Sequence, residues 1–566
     1  MWFLDADHVT ILGVPSRKLS AKITDDEKAR LRAQRETLGE KGLKELEKKL
    51  AAAKAENEKP IPDCTREHFT VLNIDSVPFI STVTARSGAA REMGKLDNAV
   101  QQLVDEDDRG SPLFIHFEHI PSQFARVKVE MCTSSVPTEL KCLLPLYMTN
   151  FFTSPVTRDG QRVEFKDVVL GLKRDTVSYG IGSNGENTEM LSISFCTEPS
   201  NYQKIICWIR LLFFDAIHDS VRLRASLAKI MADIPNEKRD GDRMLVASYS
   251  MLAYNHNSSA RARTTLSRAS RLGLMCKLLE DSPEEVLLKF SHLCAALHRL
   301  ENFRITVAAD IETLKNPASS WTILTDSLGK TGALEPLDDC RVFLSEIGKN
   351  PGSTAFVIPI SALDSCFVML VSNGPDAYSS TDYPAFLIAK SYMNTVEGPL
   401  WAAVRGNGLA YHIYFSHSSA TGNISLRIVR SPDAYKAYAA AKDQVEGYSS
   451  GRLPLDQGSV RGAVSKIILD LVNEQRTISA AAELSYVNQV IRGTKKDYSR
   501  DLLERVHKVT PDQIFEAMEK YMLPVFEPQA ATLIVTCAES MSMGVLKDFK
   551  GAGFDTKIRP LDQFQD

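Results

Sequence analysis

The order of elements repeats along the chain. Read for hydrophobic period from about Arg66 onward, it runs strands, a helix, strands, several helices and a final strand, then the same series again. In the first pass, strand-like alternation marks residues 69–85, 113–120 and 125–132. The stretch 138–152 reads as a helix perturbed by Pro145, and 167–179 and 190–197 read as strands. Helical stretches at 202–232, 240–254, 258–280 and 283–300 lead into the strand FRITVA at 303–308. Breaker residues crowd 316–337, and the series restarts. Strands are expected at 341–347, 354–358 and 364–371, a helix at 384–404, and strands at 409–416 and 423–429. Helices follow at 432–445, 459–473, 478–492, 498–507 and 511–521, then the strand ATLIVTC at 531–537. Each pass of about 240 residues predicts an α+β roll, a mostly antiparallel sheet with helices packed on one face.

Ahead of the repeats, residues 8–14 (HVTILGV) read as a strand closed by Pro15. Two charged helices follow, one from about Asp25 with Thr24 and Glu27 spaced as a capping box, one from Leu43 to about Glu58. The turn between them is GEKG at 39–42. Apolar positions are sparse (Leu31, Leu38, Leu43, Leu46, Leu50), so this is a solvated helical hairpin.

Composition excludes several classes. The 566 residues are 44% hydrophobic and 24% charged, with a net charge of -4, which gives no reason to expect nucleic acid or an anionic membrane as partner. The ten cysteines contain no C-x-x-C pair, and Cys132/Cys142 and Cys196/Cys207 have neither zinc-finger nor redox spacing. Reduced, buried thiols and a cytoplasmic location are expected. The densest apolar run, 205–214, includes Arg210 and is about half the roughly twenty residues of a membrane span.

The richest local pattern is EGPLWAAVRGNGLAYHIYFS at 397–416. It reads as a helix end, a turn in which Gly406 and Gly408 supply the backbone freedom that stops the helix, then a strand. Arg405 sits on the last helical turn and Tyr411 six residues on, so the turn brings a permanent cation and a phenol toward each other. Such a pair can donate hydrogen bonds to a peptide carbonyl or an oxyanion. His412 and His417 flank this strand and are expected at the surface. Other histidines read as structural. On a strand, His116 and Glu118 of the run HFEH share a face while His119 points away, so three ligands do not converge. Cys294 and His298 lie one helical turn apart without an evident third ligand. The run GIGSNG at 180–185 reads as a turn, and no nucleophile motif, Walker loop or dinucleotide fingerprint is present.

The stretch GPLWAAVRGNGLAYHIYF resembles the C-terminal half of the insulinase/pitrilysin (M16) metallopeptidases, nearest the branch that includes the presequence protease. ILGVPS with the charged hairpin, HIPSQFARVKV, and VTPDQIFEAMEKYMLP before ATLIVTC resemble successive parts of the same half, in the same order. The resemblance implies two insulinase/pitrilysin-type rolls: residues 1–16 as the last strand of a preceding roll, 17–64 as the hairpin, 65–325 as the family's third domain and 326–566 as its fourth. It implies that Arg405 and Tyr411 hold a substrate backbone and stabilise a tetrahedral intermediate, and that Gly406, Gly408 and His412 bind the substrate beside them. The complete family enzyme carries zinc on an H-x-x-E-H helix of its N-terminal half. The corresponding helices here, 138–152 and 384–404, contain no His, so this chain is expected to supply no metal ligand. The implied partners are an unstructured peptide and either a missing N-terminal zinc-bearing half or a separate catalytic subunit. A missing half with a presequence would make the compartment mitochondrial. The alternatives are a non-catalytic peptide-binding or assembly subunit and an incomplete fragment.

Overall fold

The computed structural model describes residues 7, 9, 11–57, 59, 62, 64–65, 76–325 and 332–565. They fall into two compact units, Met1–Thr70 and Val71–Asp566.

In the first unit the helix runs Arg17–Asn57 with no buried residue, broken only at Gly39 (φ 56°, ψ -176°). Gly39 takes the left-handed backbone that other residues avoid, so it is the joint between two helical segments. The helix starts eight residues earlier than the spacing predicts. Ser16 Oγ accepts from the Leu19 N–H at 3.2 Å, which satisfies an orphan donor of the first turn. Thr24 is no cap: its hydroxyl donates to the Ser20 carbonyl within the helix, and Glu27 pairs with Arg30 instead. The strand expected at 8–14 is not formed at residue 9 or at 11–14, where no described segment offers a ladder partner. His8 and Thr10 lie outside the described residues, as does the first part of the β segment expected from 69, residues 69–75.

The second unit contains the two repeats. The first comprises β1 (Val83–Ser87), β2 (Phe114–His119), β3 (Ala125–Cys132), a small ribbon of β4 (Val156–Arg158) and β5 (Gln161–Val163), β6 (Ser178–Ser183), β7 (Met190–Thr197) and β8 (Phe303–Ala309). The second comprises β9 (Ala355–Pro359), β10 (Cys366–Asn373), β11 (His412–His417), β12 (Asn423–Ser431), β13 (Thr532–Cys537) and β14 (Thr556–Ile558). The main sheets run β1-β2-β8-β3-β7-β6 and β11-β12-β10-β13-β9-β14. Reversed, the first order matches the second position by position. The exception is the last edge, which β1 fills antiparallel from upstream and β14 fills parallel from downstream. Most pairings are antiparallel; β2–β8 and β13–β9 are parallel.

One face of each sheet packs on its own helices. Ile115, Phe117, Val129, Ile193 and Ile305 meet helices such as Tyr202–Phe214 in the first core. Val357, Val368, Leu370, Leu426 and Val535 meet helices such as Tyr383–Asn394 and Ala434–Ser449 in the second. Val77 also packs into the second core, so the chain crosses to that core before entering β1.

Each opposite face is covered by a helix from the other repeat. Helix Gly241–Ala253 lays Met244, Leu245 and Met251 on Ile358, Met369 and Ile534 of the second sheet. Helix Ile478–Tyr486, continued by a π turn Val487–Ile491, covers the first sheet. The two helices occupy equivalent places in the repeats, so the exchange is reciprocal. Their chemistry differs. The first contact is apolar, with each fully buried side chain worth roughly 1.5–3 kcal/mol. The second is largely polar. Tyr486 Oη donates to Glu130 at 2.6 Å and Ser485 Oγ to Glu118 at 2.7 Å. Thr82, Thr84 and Gln489 also donate to Glu118, and His116 Nε2 lies 2.8 Å from it. Glu118 and Glu130 are fully buried. Burial pushes the Glu118 carboxyl up, but the hydrogen bond and charge of His116, with Lys496 and Thr82, outweigh it and hold it below the usual range. At Glu130 burial wins and the carboxyl is raised.

Further expected elements differ, and of the β stretch expected at 69–85 the described residues 76–82 form no strand. Residues 165–175 form a helix, not a strand, because Val168, Gly171, Leu172 and Asp175 are buried at helical spacing and Trp208 packs over Gly171. GIGSNG is not wholly a turn: Gly180–Ser183 belong to the edge strand β6. The strand expected at 341–347 is a 3₁₀ turn and a short helix, captured by Asp339 accepting from the Arg341 N–H and Ser345 from the Gly348 N–H.

Two variants test the exchange. A Cβ on Gly241 would lie 2.6 Å from the Phe367 ring, so Gly241→Ala is expected to destabilise the body by about 1–3 kcal/mol in urea unfolding. Glu118→Gln turns one acceptor into a donor facing Thr82 and Lys496, and is expected to cost about 1–3 kcal/mol. Because the native Glu118 carboxyl is depressed, its contribution is complete above the ordinary glutamate range and is lost as the pH falls below it. The wild-type/Gln difference measured by unfolding at several pH values should therefore shrink on acidification.

Candidate functional site

The helix preceding the 397–416 pattern is not continuous. Tyr383–Asn394 ends before Glu397, which adopts φ 62°, and the chain then coils again as a π turn, Trp401–Arg405. The Gly406 N–H donates to the Trp401 carbonyl at 2.8 Å and the Leu409 N–H to the Val404 carbonyl at 2.8 Å. Asn407 Nδ2 donates to the carbonyls of Ala402 and Ala403, which satisfies the helix end. The two glycines serve different needs. Gly408 has φ 70° and uses glycine's freedom; Gly406 is helical (φ -59°) and is needed because a Cβ would lie 2.8 Å from the Ala402 carbonyl oxygen. The expectation that both supply backbone freedom is thus corrected for Gly406.

This turn sets Arg405 Cζ 5.1 Å from the centroid of the Tyr411 ring. Both side chains are exposed, Tyr411 at 61%. Among the described residues no hydrogen bond engages the Arg405 guanidinium or the Tyr411 hydroxyl, so their donors face solvent. The Tyr411 N–H donates to the Val429 carbonyl at 3.1 Å, which anchors the residue to β12. His412 is exposed beside them. Partial burial and the Arg405 charge both hold its imidazole below the ordinary range. His417 does not share this surface. It is half-buried against Tyr383 and Phe386, its Nε2 hydrogen-bonds the Pro375 carbonyl at 2.8 Å, and burial pushes it down to about 4.

Three further residues complete the surface. Tyr414 follows His412 on the same face of β11, their rings 4.9 Å apart. Arg427, opposite Tyr414 in the register, lies over that ring and pairs with Asp242 at the start of the exchanged helix Gly241–Ala253. Asn394 closes the free edge of β11: its side chain accepts from the Phe415 N–H at 2.8 Å and donates to the Phe415 carbonyl at 2.7 Å. Strand alternation then turns the backbone groups of Ile413 outward as well, next to Tyr411. The period of two after His412 was the available signal for Tyr414; Arg427 and Asn394 have none, since both are brought in by sheet register.

The remaining candidate ligands are absorbed by structure. His116 binds Glu118, while His119 accepts from the Ile311 N–H. His298 is buried against the Tyr147 hydroxyl at 2.9 Å and burial pushes it down to about 3, and Cys294 faces His218. Helices Thr138–Lys141, Leu144–Asn150 and Tyr383–Asn394 contain no His. Among the described residues no group of three or more His, Cys, Asp or Glu is arranged to hold a metal ion. The described residues do not fit zinc. No helix among the described residues is long and apolar enough to cross a membrane.

No family model matches the chain. Curated relatives include Uncharacterized protein C3H1.02c of Schizosaccharomyces pombe, 27% identical over 587 residues, which covers 100% of this chain and 56% of that protein. Uncharacterized protein YOL098C of Saccharomyces cerevisiae is 26% identical over 588 residues, covering 100% and 56%. Uncharacterized protein C05D11.1 of Caenorhabditis elegans is 22% identical over 561 residues, covering 97% and 54%. The chain thus spans about half the length of the curated relatives it matches. Among solved structures, a peptidase M16 inactive domain from Pseudomonas fluorescens superposes with a TM-score of 0.56 at 13% identity, over 75% of this chain and 95% of that one. A conserved protein from Enterococcus faecalis V583 (TM-score 0.55, 13% identity, 75% and 97%) and a protease from Helicobacter pylori (0.55, 12%, 75% and 97%) share the same fold. The chain has the fold of the peptidase M16 inactive domain.

Since Arg405 and Tyr411 make no core contact, Arg405→Ala and Tyr411→Phe are each expected to change unfolding free energy by no more than about 0.5 kcal/mol. Asn394→Ala removes both edge hydrogen bonds and should cost about 1–3 kcal/mol in the same measurement.

Proposed function

We propose that this chain is the substrate-clamping, metal-free half of an M16-type zinc metalloendopeptidase that degrades unstructured peptides, similar to the C-terminal half of the presequence-protease branch. The observation that carries the reading is the exposed Arg405–Tyr411 pair, both with free donors, at the open edge of β11. Supporting it are the M16 inactive-domain fold and relatives about twice as long, whose remaining length has room for a zinc-bearing half.

In this reading an extended peptide lies beside Ile413, where unpaired backbone groups can meet its own. The Arg405 guanidinium donates to a substrate carbonyl, and the Tyr411 hydroxyl donates to the oxygen that gains negative charge when the carbonyl becomes tetrahedral. Donors fixed in advance at that oxygen lower the barrier because they need no reorganisation as charge develops. Gly406 and Gly408 set the turn, and His412, its imidazole held below the ordinary range by partial burial and the Arg405 charge, borders the bound chain. The metal belongs to the partner half, whether on the same polypeptide or on a separate subunit. We place the assembly in the cytoplasm, or in the mitochondrion where the other half carries a presequence.

The test is turnover of an unstructured fluorogenic peptide by the assembled enzyme. Arg405→Ala and Tyr411→Phe are each expected to lower kcat by an order of about 10²-fold. Unchanged turnover in both variants would remove the assignment. This chain alone should show no hydrolysis, and recovery of activity on adding the zinc-bearing half is the expected complement. A stable complex in which neither variant affects peptide binding or turnover would favour an assembly subunit instead.

A further inference from the structure

The two sheets differ in register where strand order makes them equivalent. β10 and β12 correspond to β3 and β7 of the first sheet. The β3–β7 pairing runs from Ala125↔Thr197 to Cys132↔Met190 without a shift. The β10–β12 pairing slips between Cys366↔Ser431 and Val368↔Ile428, so Val429 and Arg430 together face Phe367. The fold is thus built without this bulge in one repeat and with it in the other, which is the repeat that carries Arg405 and Tyr411. Bulges re-aim side chains and are over-represented beside functional sites.

Arg430 sits on the bulge with φ 53°. That left-handed backbone is natural to glycine and strained for arginine. One register step beyond His412↔Val429 sets Arg430 opposite Tyr411. The Tyr411 N–H is shared there between the Val429 carbonyl at 3.1 Å and the Arg430 carbonyl at 3.2 Å. Ser431 Oγ, next in the chain, donates to the Leu409 carbonyl at 2.6 Å and ties the bulge to the turn. Arg430 itself is exposed, and among the described residues no hydrogen bond or ion pair engages its guanidinium. Neither the sheet nor the core accounts for an arginine at this position. Its surroundings also lack a counter-charge. Residues 398–432 contain Arg405, Arg427 and Arg430 and no Asp or Glu. Arg427 is taken by Asp242. Asp433, the next carboxylate along the chain, pairs with Lys436 and caps helix Ala434–Ser449.

We propose that Arg430 is a specificity-determining residue, which binds a carboxylate of the extended peptide lying on the free edge of β11. The inference rests on the clamp reading, since that reading places the peptide beside Tyr411. Adjacent strands lie about 4.8 Å apart, so β12 and a peptide added to β11 are separated by about 10 Å. An extended arginine and a glutamate side chain close that gap between them. With Arg405 committed to a backbone carbonyl, Arg430 is the cation left for a peptide side chain, and its planar fork matches a carboxylate. The substrates singled out are unstructured peptides with an acidic residue, or a free C-terminal carboxylate, near the bond held by Tyr411. A lysine or arginine at the same place in the peptide is disfavoured by like charge.

Fluorescence anisotropy of the full chain with rhodamine-labelled, unstructured Gly/Ser/Gln peptides tests it. One set is amidated and carries a single Glu, or Gln in its place, at successive positions. The other carries no Glu and ends in a free carboxylate. At one position Glu is expected to bind about three- to fivefold tighter than Gln. A gain shown by the free acid alone identifies the C-terminal carboxylate as the ligand. Arg430→Gly is expected to abolish the preference while the melting temperature holds or rises, because glycine takes the left-handed backbone without strain. Arg430→Lys keeps a cation and is expected to retain part of the preference. An arginine kept for structure would give the opposite pattern, a lower melting temperature in Arg430→Gly with the preference intact. The inference is overturned if no carboxylate-bearing peptide binds more tightly than its neutral counterpart, or if Arg430→Gly keeps the preference. Should the preference vanish in Arg430→Gly while Arg405→Ala and Tyr411→Phe leave turnover of the assembled enzyme unchanged, the catalytic clamp falls and this inference stands. The reverse pattern removes this inference and leaves the clamp.

Discussion

A buried carboxylate ties the body together. Glu118 sits on the outer face of the first sheet, with donors from β1, from β2 and from a helix some 360 residues further along, Ser485 being 367 positions away. A carboxylate with no access to water is tolerable only when its lone pairs are filled and a positive charge is near. The first repeat does not fill them by itself; Ser485, Gln489 and Lys496 of the second complete the set. Neither sheet is therefore finished until the other repeat is in place, and the two rolls behave as one body.

That exchange also fixes the candidate site. Asp242 begins the helix that the first repeat lends to the second sheet, and it holds Arg427 beneath Tyr414 on the strand that carries Tyr411 and His412. The exposed pair thus stands on a sheet pinned from both faces. The π turn before it, the left-handed Gly408 and the Asn407 side chain leave Arg405 one way to emerge. Rigid support and free donors are what a group meant to grip a substrate requires.

Much of this was legible beforehand. The strands FRITVA and ATLIVTC, the helices that lead into them and the shared face of His116 and Glu118 follow from local period, because alternation and helical spacing are imposed by backbone geometry alone. The approach of Arg405 to Tyr411 followed from a short turn. Reading failed where local chemistry competed with pattern. At 341–347 the side chains of Asp339 and Ser345 capture the backbone before a strand forms. At 165–175 the buried stripe of Val168, Gly171, Leu172 and Asp175 is helical, with Trp208 packed against Gly171. At Thr24 a capping spacing lost to an earlier serine.

The sequence by itself determined the element order, its duplication, the turn that joins Arg405 to Tyr411 and the lack of histidine on the helices that would hold a metal. These are local properties, set by neighbours within a few residues. Only the tertiary structure decided that the repeats trade helices, that Asn394 caps the edge of β11 at Phe415 alone, and that Arg427 comes to lie over Tyr414. Each of those depends on a partner far along the chain, brought in by sheet register and by the need to cover a second sheet face, and no local pattern encodes such a meeting.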